Sequence, residues 1–537
     1  MEFNFADLYE AVADRVPDRT ALVTGDRRTT YAELDEMANR LAHHLQAQGV
    51  AQGDHVGCYV LNGPEYMVTF FAALKIRAVP INVNYRYVAD ELRYLFDDAG
   101  LKAVVFHQAF LPRVEEVAAD VPGLTTFIQV DDDSGEQPTG AIEVQRWADV
   151  LAAAPPERDF GPRSGDDHYV LYTGGTTGMP KGVVWRQEDA FFGCIGGGDP
   201  SRLSGIVETP EEMLERINEV PFSFLPVAPL MHAAAQWTTL MWLFVGGKIV
   251  LMPGSMDPDE VWSAIEAEGV NLITVVGDAV VRPLMDAWDA GGGVERWDVS
   301  SLFSIGSGGA PLSPALKIRM AQAFPDLIIA DGFGSSETGI QGAHRVAGKE
   351  ITDGKAHFSS DENAVVVDDD LKLVQPGSGV VGRVGQKGRV PIGYHNDPEK
   401  TANTFVEVDG ERVILSGDMA TVDEDGNVTL LGRGSVCINT GGEKVYPEEV
   451  EGVLKAHPAV YDAVVVGVPD DRWGERVAAV VQLVEGASLS QPEAEAHARE
   501  SLAGYKVPRD LTVVDVLVRS PAGKADYRWA KQVATTA

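Results

Sequence analysis

Cysteine is scarce: the chain has three among 537 residues, Cys58, Cys194 and Cys437. They form no Cys-x-x-Cys pair and have no histidine at metal-ligand spacing. That excludes a disulfide framework and a structural zinc site, and suits reduced thiols in a cytoplasmic protein. No apolar run approaches the roughly 20 residues that cross a bilayer, so stable membrane insertion is not expected. The opening MEFNFADLYEAVADRVPDR lacks the basic start and apolar centre of a secretory leader. Positive charge is also short, with 44 Lys and Arg against 80 Asp and Glu and a net charge of −36. Such a surface repels nucleic acid, which is excluded as a partner. It repels every other anion at long range too, so a site for one must supply local cations or backbone donors. Tandem repeats and low-complexity tracts are missing as well.

What is present is a globular composition, 45% hydrophobic and 23% charged. The length predicts a large domain plus a smaller one. Thr30 and Glu33 have capping-box spacing, followed by the apolar stripe Leu34, Ala38, Leu41, Ala42 and Leu45 and a C-terminal Gly49. Strand-like runs at 55–61, 79–83 and 104–106 alternate with helical patterns at 64–75 and 90–96. The rhythm recurs at 248–252, 258–268 and 271–276, with Asp257 as N-cap. This predicts an α/β fold of layered parallel and mixed sheets with helices. Residues 196–219 read as an excursion. After Gly432 a helix at 447–455, strands at 463–468 and 477–484, a helix at 492–502 and a strand at 511–516 predict a small α+β domain. The expected division is 1–432, a hinge at 433–436 loosened by Gly432 and Gly434, and 437–537.

Four segments carry chemistry. The strand-like run Tyr169-Val170-Leu171 feeds Tyr172, Thr173, Gly174, Gly175, Thr176, Thr177 and Gly178, then Met179, Pro180 and Lys181. Such a loop aims backbone N–H groups and hydroxyls at phosphate oxygens, and Lys181 adds a cation. It is not a Walker A loop, because Pro180 and Gly182 flank the lysine. A second strand leads into Asp331, Gly332, Phe333, Gly334, Ser335, Ser336, Glu337 and Thr338. A carboxylate among small hydroxyls suits a magnesium ion bridging phosphates, and Phe333 offers a stacking face. The third is Ser416-Gly417-Asp418 with Arg433, a carboxylate and a guanidinium suited to a sugar's hydroxyls. The fourth is the Pro/Gly loop from Ser520 to Lys524. Each alone also fits an ordinary turn or surface ion pair.

In that order the four segments resemble those of the adenylate-forming superfamily of acyl-CoA synthetases, luciferases and peptide-synthetase adenylation domains. The resemblance implies a large domain that binds ATP and an acid, and a small mobile domain. It implies that 173–178 and Lys181 hold phosphates and that Thr173 and Glu337 flank Mg2+. Gly309, Ala310 and Pro311 with Phe333 would enclose adenine, and the run from Asp331 to Thr338 would border the nucleotide, with Ser336 and Thr338 near the α-phosphate. Asp418 and Arg433 would take the ribose. Lys524 would join carboxylate and α-phosphate, His232 would stand between acid and nucleotide, and Gly441 and Gly442 would line the path of coenzyme A. The implied catalytic set is Lys524, Glu337, His232 and Thr173.

Gly174-Gly175, Phe333, Ser336 and Ser435 depart from the commoner Ser-Gly, Tyr, Thr and Asp or Lys of the superfamily. Runs such as Gly196-Gly197-Gly198-Asp199, Gly277-Asp278-Ala279 and Gly434 to Asn439 are similar to actinobacterial ligases for medium or long fatty acids and sterol side-chain acids. The expected partners are therefore a hydrophobic carboxylic acid, ATP and CoA; self-association into a homo-oligomer stays open. Trp237, Met241 and Trp242 are candidates for the acid's pocket wall or for core. A carrier-protein acceptor and a non-catalytic acyl-nucleotide-binding protein are the alternatives.

Overall fold

The computed structural model describes residues 1–537 except 174–178, 202–203, 352–357, 361–362, 471, 520–523 and 537. Local signals set many of the elements. Thr30 Oγ1 accepts from the Glu33 amide at 3.1 Å, and Glu33 Oε2 accepts from the Thr30 amide at 2.8 Å. The helix Tyr31–Ala47 grows from this capping box and buries the predicted stripe. The helix Pro64–Lys75 has the expected bounds and is buried on nearly every side, which is why its pattern shows no polar face. Asp257 caps the helix Pro258–Glu268, which stops at the left-handed Gly269.

The sheets are mixed, as the α/β expectation requires. Val79–Asn82, His55–Tyr59, Leu101–His107, Thr126–Val130 and Val144–Arg146 pair in parallel. A nine-stranded sheet is parallel from Ile328–Ser335 through Ser304–Ser307, Leu272–Val275, Ser223–Pro226 and Lys248–Val250 to Thr20–Thr24. Antiparallel strands close both its edges. Buried strands read as apolar runs in such sheets, so their ends carry no alternation to mark them. Hence 104–106 extends to Leu101–His107. Two antiparallel sheets complete the large unit, one of them built from His168–Thr173, Lys181–Arg186 and Gly393–Tyr394. The excursion at 196–219 is strand-free among its described residues and carries the short helix Pro210–Glu215.

The small unit has cores of its own. Val460–Asp470 and Gly474–Leu483 form its long hairpin, and Asp510–Val514 adds in parallel. The first hairpin strand outruns its predicted bounds at both ends, the second starts earlier and ends one residue sooner than predicted, and the helix Tyr527–Thr536 follows beyond the expected elements. Between the strand ending at Arg433 and the strand Ile438–Thr440 lies the turn Gly434–Val436. Just before it, Gly432 has φ 120°, and a Cβ there would lie 2.0 Å from Glu448 Oε2. The helix Pro447–Lys455 thus presses a carboxylate onto bare backbone at the joint.

The hairpin between Ile328–Ser335 and Gly339–Ala347 turns equally tightly. Gly339 has φ 71°, and a Cβ there would lie 2.4 Å from the Gly193 carbonyl. Gly339→Ala is expected to cost at least about 2 kcal/mol, through strain and a backbone clash together. Urea unfolding measures this, and a change within experimental scatter would contradict the packing.

Candidate active site

The strand His168–Thr173 buries Tyr169 to Tyr172 and delivers Thr173, half-buried, at its end. A side chain outside the four chemistry-bearing segments fixes its direction. Asn82, buried at the end of its own strand, accepts from the Tyr172 amide at 2.7 Å and donates to the Tyr172 carbonyl at 2.8 Å and the Met231 carbonyl at 2.7 Å. One amide therefore ties the loop entrance to the segment carrying His232. Gly174, Gly175, Thr176, Thr177 and Gly178 lie outside the described residues. Lys181 emerges opposite Thr173 in register.

Lys181 pairs with Asp397, which also caps the helix Pro398–Thr404 by accepting from the Lys400 amide at 2.9 Å. Lys400 Nζ lies 4.0 Å from the centre of the Tyr394 ring. Tyr394 in turn donates its hydroxyl to Glu337 Oε1 at 3.1 Å. Burial, then the neighbouring Glu337 carboxylate, pushes the Tyr394 phenol up, so it stays a donor. Burial and the Lys181 charge hold Lys400 below the usual lysine range, with Glu337 opposing. Glu337 sits in a hairpin turn made rigid by Ser335 and Thr338, whose hydroxyls lie 3.1 Å apart. Thr338 is buried and spends its hydroxyl there, while the Ser336 carbonyl accepts from Trp185 at 3.0 Å.

The small unit contributes Lys524. Burial and the Arg433 guanidinium hold its ammonium below the usual lysine range, while Glu337 and Asp418 act in the opposite sense. Asp418 and Arg433 face each other across antiparallel strands, and Arg433 Nε lies 3.2 Å from Asp418 Oδ1. His232 caps the helix Ala233–Leu243 and is pushed down to about 4 by burial and by the charges of Lys524 and Arg86. Its Nε2 is buried and has no hydrogen-bond partner among the described residues. A neutral imidazole thus stands beside a cation delivered from the far end of the chain. Ser520 to Gly523, the loop before Lys524, lie outside the described residues.

Other expected residues are placed differently from one another. Gly309 and Pro311 are exposed, and Ala310 is half-buried. Asp331 gives its carboxylate to Lys317 at 2.5 Å in a buried pair, so it offers a ligand only backbone. Phe333 is largely covered, packing edge-on against Phe358 with ring centres 4.9 Å apart. Gly332 and Gly334 flank it on the same strand. Gly441 and Gly442 are exposed in a turn. Trp237, Met241 and Trp242 belong to the main core, and Trp237 donates to the Tyr169 hydroxyl at 2.9 Å. Asn82, Tyr394, Asp397 and Lys400 lie outside the expected set: the first three take their roles from the distant Tyr172, Glu337 and Lys181, and Lys400 from its near neighbour Tyr394 together with the distant Glu337. A polar residue inside the apolar run at 79–83 is the one hint of Asn82 in the sequence.

The profile of the AMP-binding enzyme family covers residues 9–392, and that of the AMP-binding enzyme C-terminal domain covers 449–524. The chain belongs to the AMP-binding enzyme family. This AMP-binding enzyme is 46% identical to the medium/long-chain-fatty-acid–CoA/3-oxocholest-4-en-26-oate–CoA ligase of Mycolicibacterium smegmatis, over 99% of this chain and 97% of that one. It is 46% identical to the 3-oxocholest-4-en-26-oate–CoA ligase of Rhodococcus rhodochrous, over 99% and 96% of the two chains. Its fold matches the crystal structure of the anthranilate CoA ligase AuaEII in complex with anthranoyl-AMP, with a TM-score of 0.85 at 24% identity, covering 99% and 97%. No helix among the described residues is long and apolar enough to cross a membrane.

Two outcomes follow from this geometry. His232 carries a proton more readily unfolded than folded, so its contribution to stability is complete above about pH 6.5 and fades as pH falls toward 4. The melting temperature of His232→Phe relative to the parent should therefore rise between pH 7 and pH 4.5, and a pH-independent difference would refute the assignment. Asn82→Leu leaves two buried backbone groups of Tyr172 without their side-chain partner and is expected to lose about 2 kcal/mol or more in urea unfolding; a loss below 0.5 kcal/mol would contradict that.

Proposed function

We propose that this enzyme is an ATP-dependent acid–thiol ligase that makes an acyl-adenylate and transfers the acyl group to CoA. The observation that carries it is the arrival of Lys524, from the small unit, beside Glu337, Asp418 and His232 of the large one and Arg433 at the joint. In the first step a carboxylate oxygen attacks the α-phosphorus of ATP and pyrophosphate leaves. Two anions must meet, and charge grows on the phosphoryl oxygens as they do. An ammonium held there partly out of water stabilises that charge more than it stabilises the ground state. Lys181, Lys400 and Arg433 supply the local cations that the acidic exterior withholds. In the second step the CoA thiol gives up its proton to solvent, its sulfur attacks the acyl carbonyl, and AMP leaves with the electron pair of the broken C–O bond.

The role of each residue is part of this proposal. Thr173 to Gly178 and Lys181 take phosphates, Gly309 to Pro311 and the strand around Phe333 border adenine, and Asp418 and Arg433 take the ribose. Thr173 and Glu337 fit magnesium, which keeps its waters and leans on phosphates with one or two carboxylates. Bound there, the ion neutralises phosphate charge. His232, neutral, separates acid from nucleotide without adding a charge. Residues 433–436 serve as the hinge between 1–432 and a mobile 437–537. CoA as acceptor is supported by Gly441, which packs on Trp473; the guanidinium carbons of Arg472 and Arg509 lie 4.6 and 5.3 Å from that ring's centre. An aromatic face with two cations suits a phosphorylated purine. The acid is a medium or long fatty acid or a sterol side-chain acid, as in the names of the bacterial relatives.

Pyrophosphate release with a panel of acids, with and without CoA, tests the reading. Acid-dependent release with a thioester product is expected, whereas nucleotide binding without turnover would make the chain a binding protein. Lys524→Ala should lower adenylation at least about 100-fold, the scale of one preorganised donor, and spare thioester formation from supplied acyl-AMP. Equal losses in the two half-reactions would exclude the role given to Lys524.

A further inference from the structure

Away from Lys524, a second lysine of the small unit is buried against the large one. Lys455 Nζ lies 3.4 Å from Asp278 Oδ2 and 3.4 Å from Asp462 Oδ1, and the three side chains are 8%, 5% and 11% exposed. Burial works against its charge, but Asp278, Asp462 and Glu451 more than offset this, and Lys455 stays above the usual lysine range. Nearby, the Tyr461 hydroxyl donates to Asp286 at 3.3 Å, and the Arg282 guanidinium lies 4.9 Å from the centre of the Tyr461 ring.

Asp278 has a second attachment. Its amide donates to the Pro311 carbonyl at 3.2 Å, and its Oδ1 accepts from the Ser313 amide at 2.7 Å. A Cβ on the preceding Gly277 would lie 2.3 Å from the Pro311 oxygen, so helix start and turn are in direct contact. One carboxylate therefore holds the 309–313 turn with one oxygen and faces the small unit with the other. That second oxygen has no hydrogen bond among the described residues, only the pair to Lys455 and a longer one to Arg282 at 3.7 Å.

We propose that Asp278 is a positioning residue that couples the 309–311 turn to the orientation of the small unit through Lys455, favouring the arrangement that delivers Lys524. This rests on the reading that the turn borders adenine. The cluster is built to switch without stranding a charge. If the small unit rotates, Lys455 keeps Asp462 and Glu451, which travel with it. Asp278 keeps Arg282, whose Nη2 has no hydrogen-bond partner among the described residues and is placed to close on it. Removing one partner of a buried pair outright is severe, but exchanging partners is mild. The pair can thus bias a two-state equilibrium rather than lock it.

Lys455→Met and Asp278→Asn, made in the full chain, test this. Pyrophosphate release from acid and ATP should fall about tenfold in each, within the usual range of coupling between sites. Thioester formation from supplied acyl-AMP and CoA should be unchanged or faster. The double variant should be no worse than the worse single, and Lys455→Arg should recover most of the adenylation rate. Parent-like adenylation in Lys455→Met, or equal loss in both half-reactions, would overturn the proposal. Should Lys455→Met fail to fold by its thermal melt, Lys455→Gln is read by the same split. AMP affinity of Ala310→Trp, by calorimetry, separates the two premises. Weakened binding supports adenine beside the turn. Unchanged binding overturns that reading and the coupling built on it, even with the half-reaction split intact.

Discussion

An ammonium group leaves water only where other charges replace it, and Lys524 meets that condition in one placement of the small unit. There it faces Glu337 and Asp418 with Arg433 alongside, and His232 feels its charge. Everything else in the molecule serves that meeting. The parallel strands of the nine-stranded sheet bring the 309–311 turn and the Glu337 hairpin to adjacent strand ends. The Asn82 amide pins the exit of a different sheet to the start of the His232 helix. Beyond the turn after Arg433, a unit with cores of its own carries the lysine.

The electrostatic design has two scales. At long range the net charge of −36 opposes every anion the site is proposed to hold. At short range Lys400 and Lys524 face one acidic residue, Glu337, while Asp397 anchors Lys181 and Asp418 anchors Arg433. Tyr394 and Glu337 are held together by a hydrogen bond rather than by charge. The cations are crowded enough to depress one another, Lys181 acting on Lys400 and Arg433 on Lys524, and the carboxylates Glu337, Asp397 and Asp418 offset that repulsion.

Much of the fold was legible because it is written locally. Thr30 with Glu33, Asp257 with Pro258, and the apolar stripe from Leu34 to Leu45 each act within one or two turns. The chemistry-bearing segments were legible for the same reason: glycines, hydroxyls and a charge lie side by side in each. What sequence alone did not reveal depends on distant partners. Asn82 is an unremarkable strand residue until Tyr172 and Met231 close on it. Lys317 pairs with the Asp331 carboxylate, and Phe358 packs edge-on against a Phe333 ring buried in its own apolar cluster. Trp237 and Met241 suit a pocket wall by composition, yet their surroundings make them core.

The contact between Gly432 and Glu448 has a practical corollary for building hybrids. A graft cut at the turn after Arg433 divides that pair, leaving the bare backbone on one parent and the carboxylate on the other. A donor small unit with a glutamate at this place fits only a recipient with glycine at the end of its last strand. The seam therefore has a compatibility rule of its own, independent of how well either half recognises its acid or nucleotide.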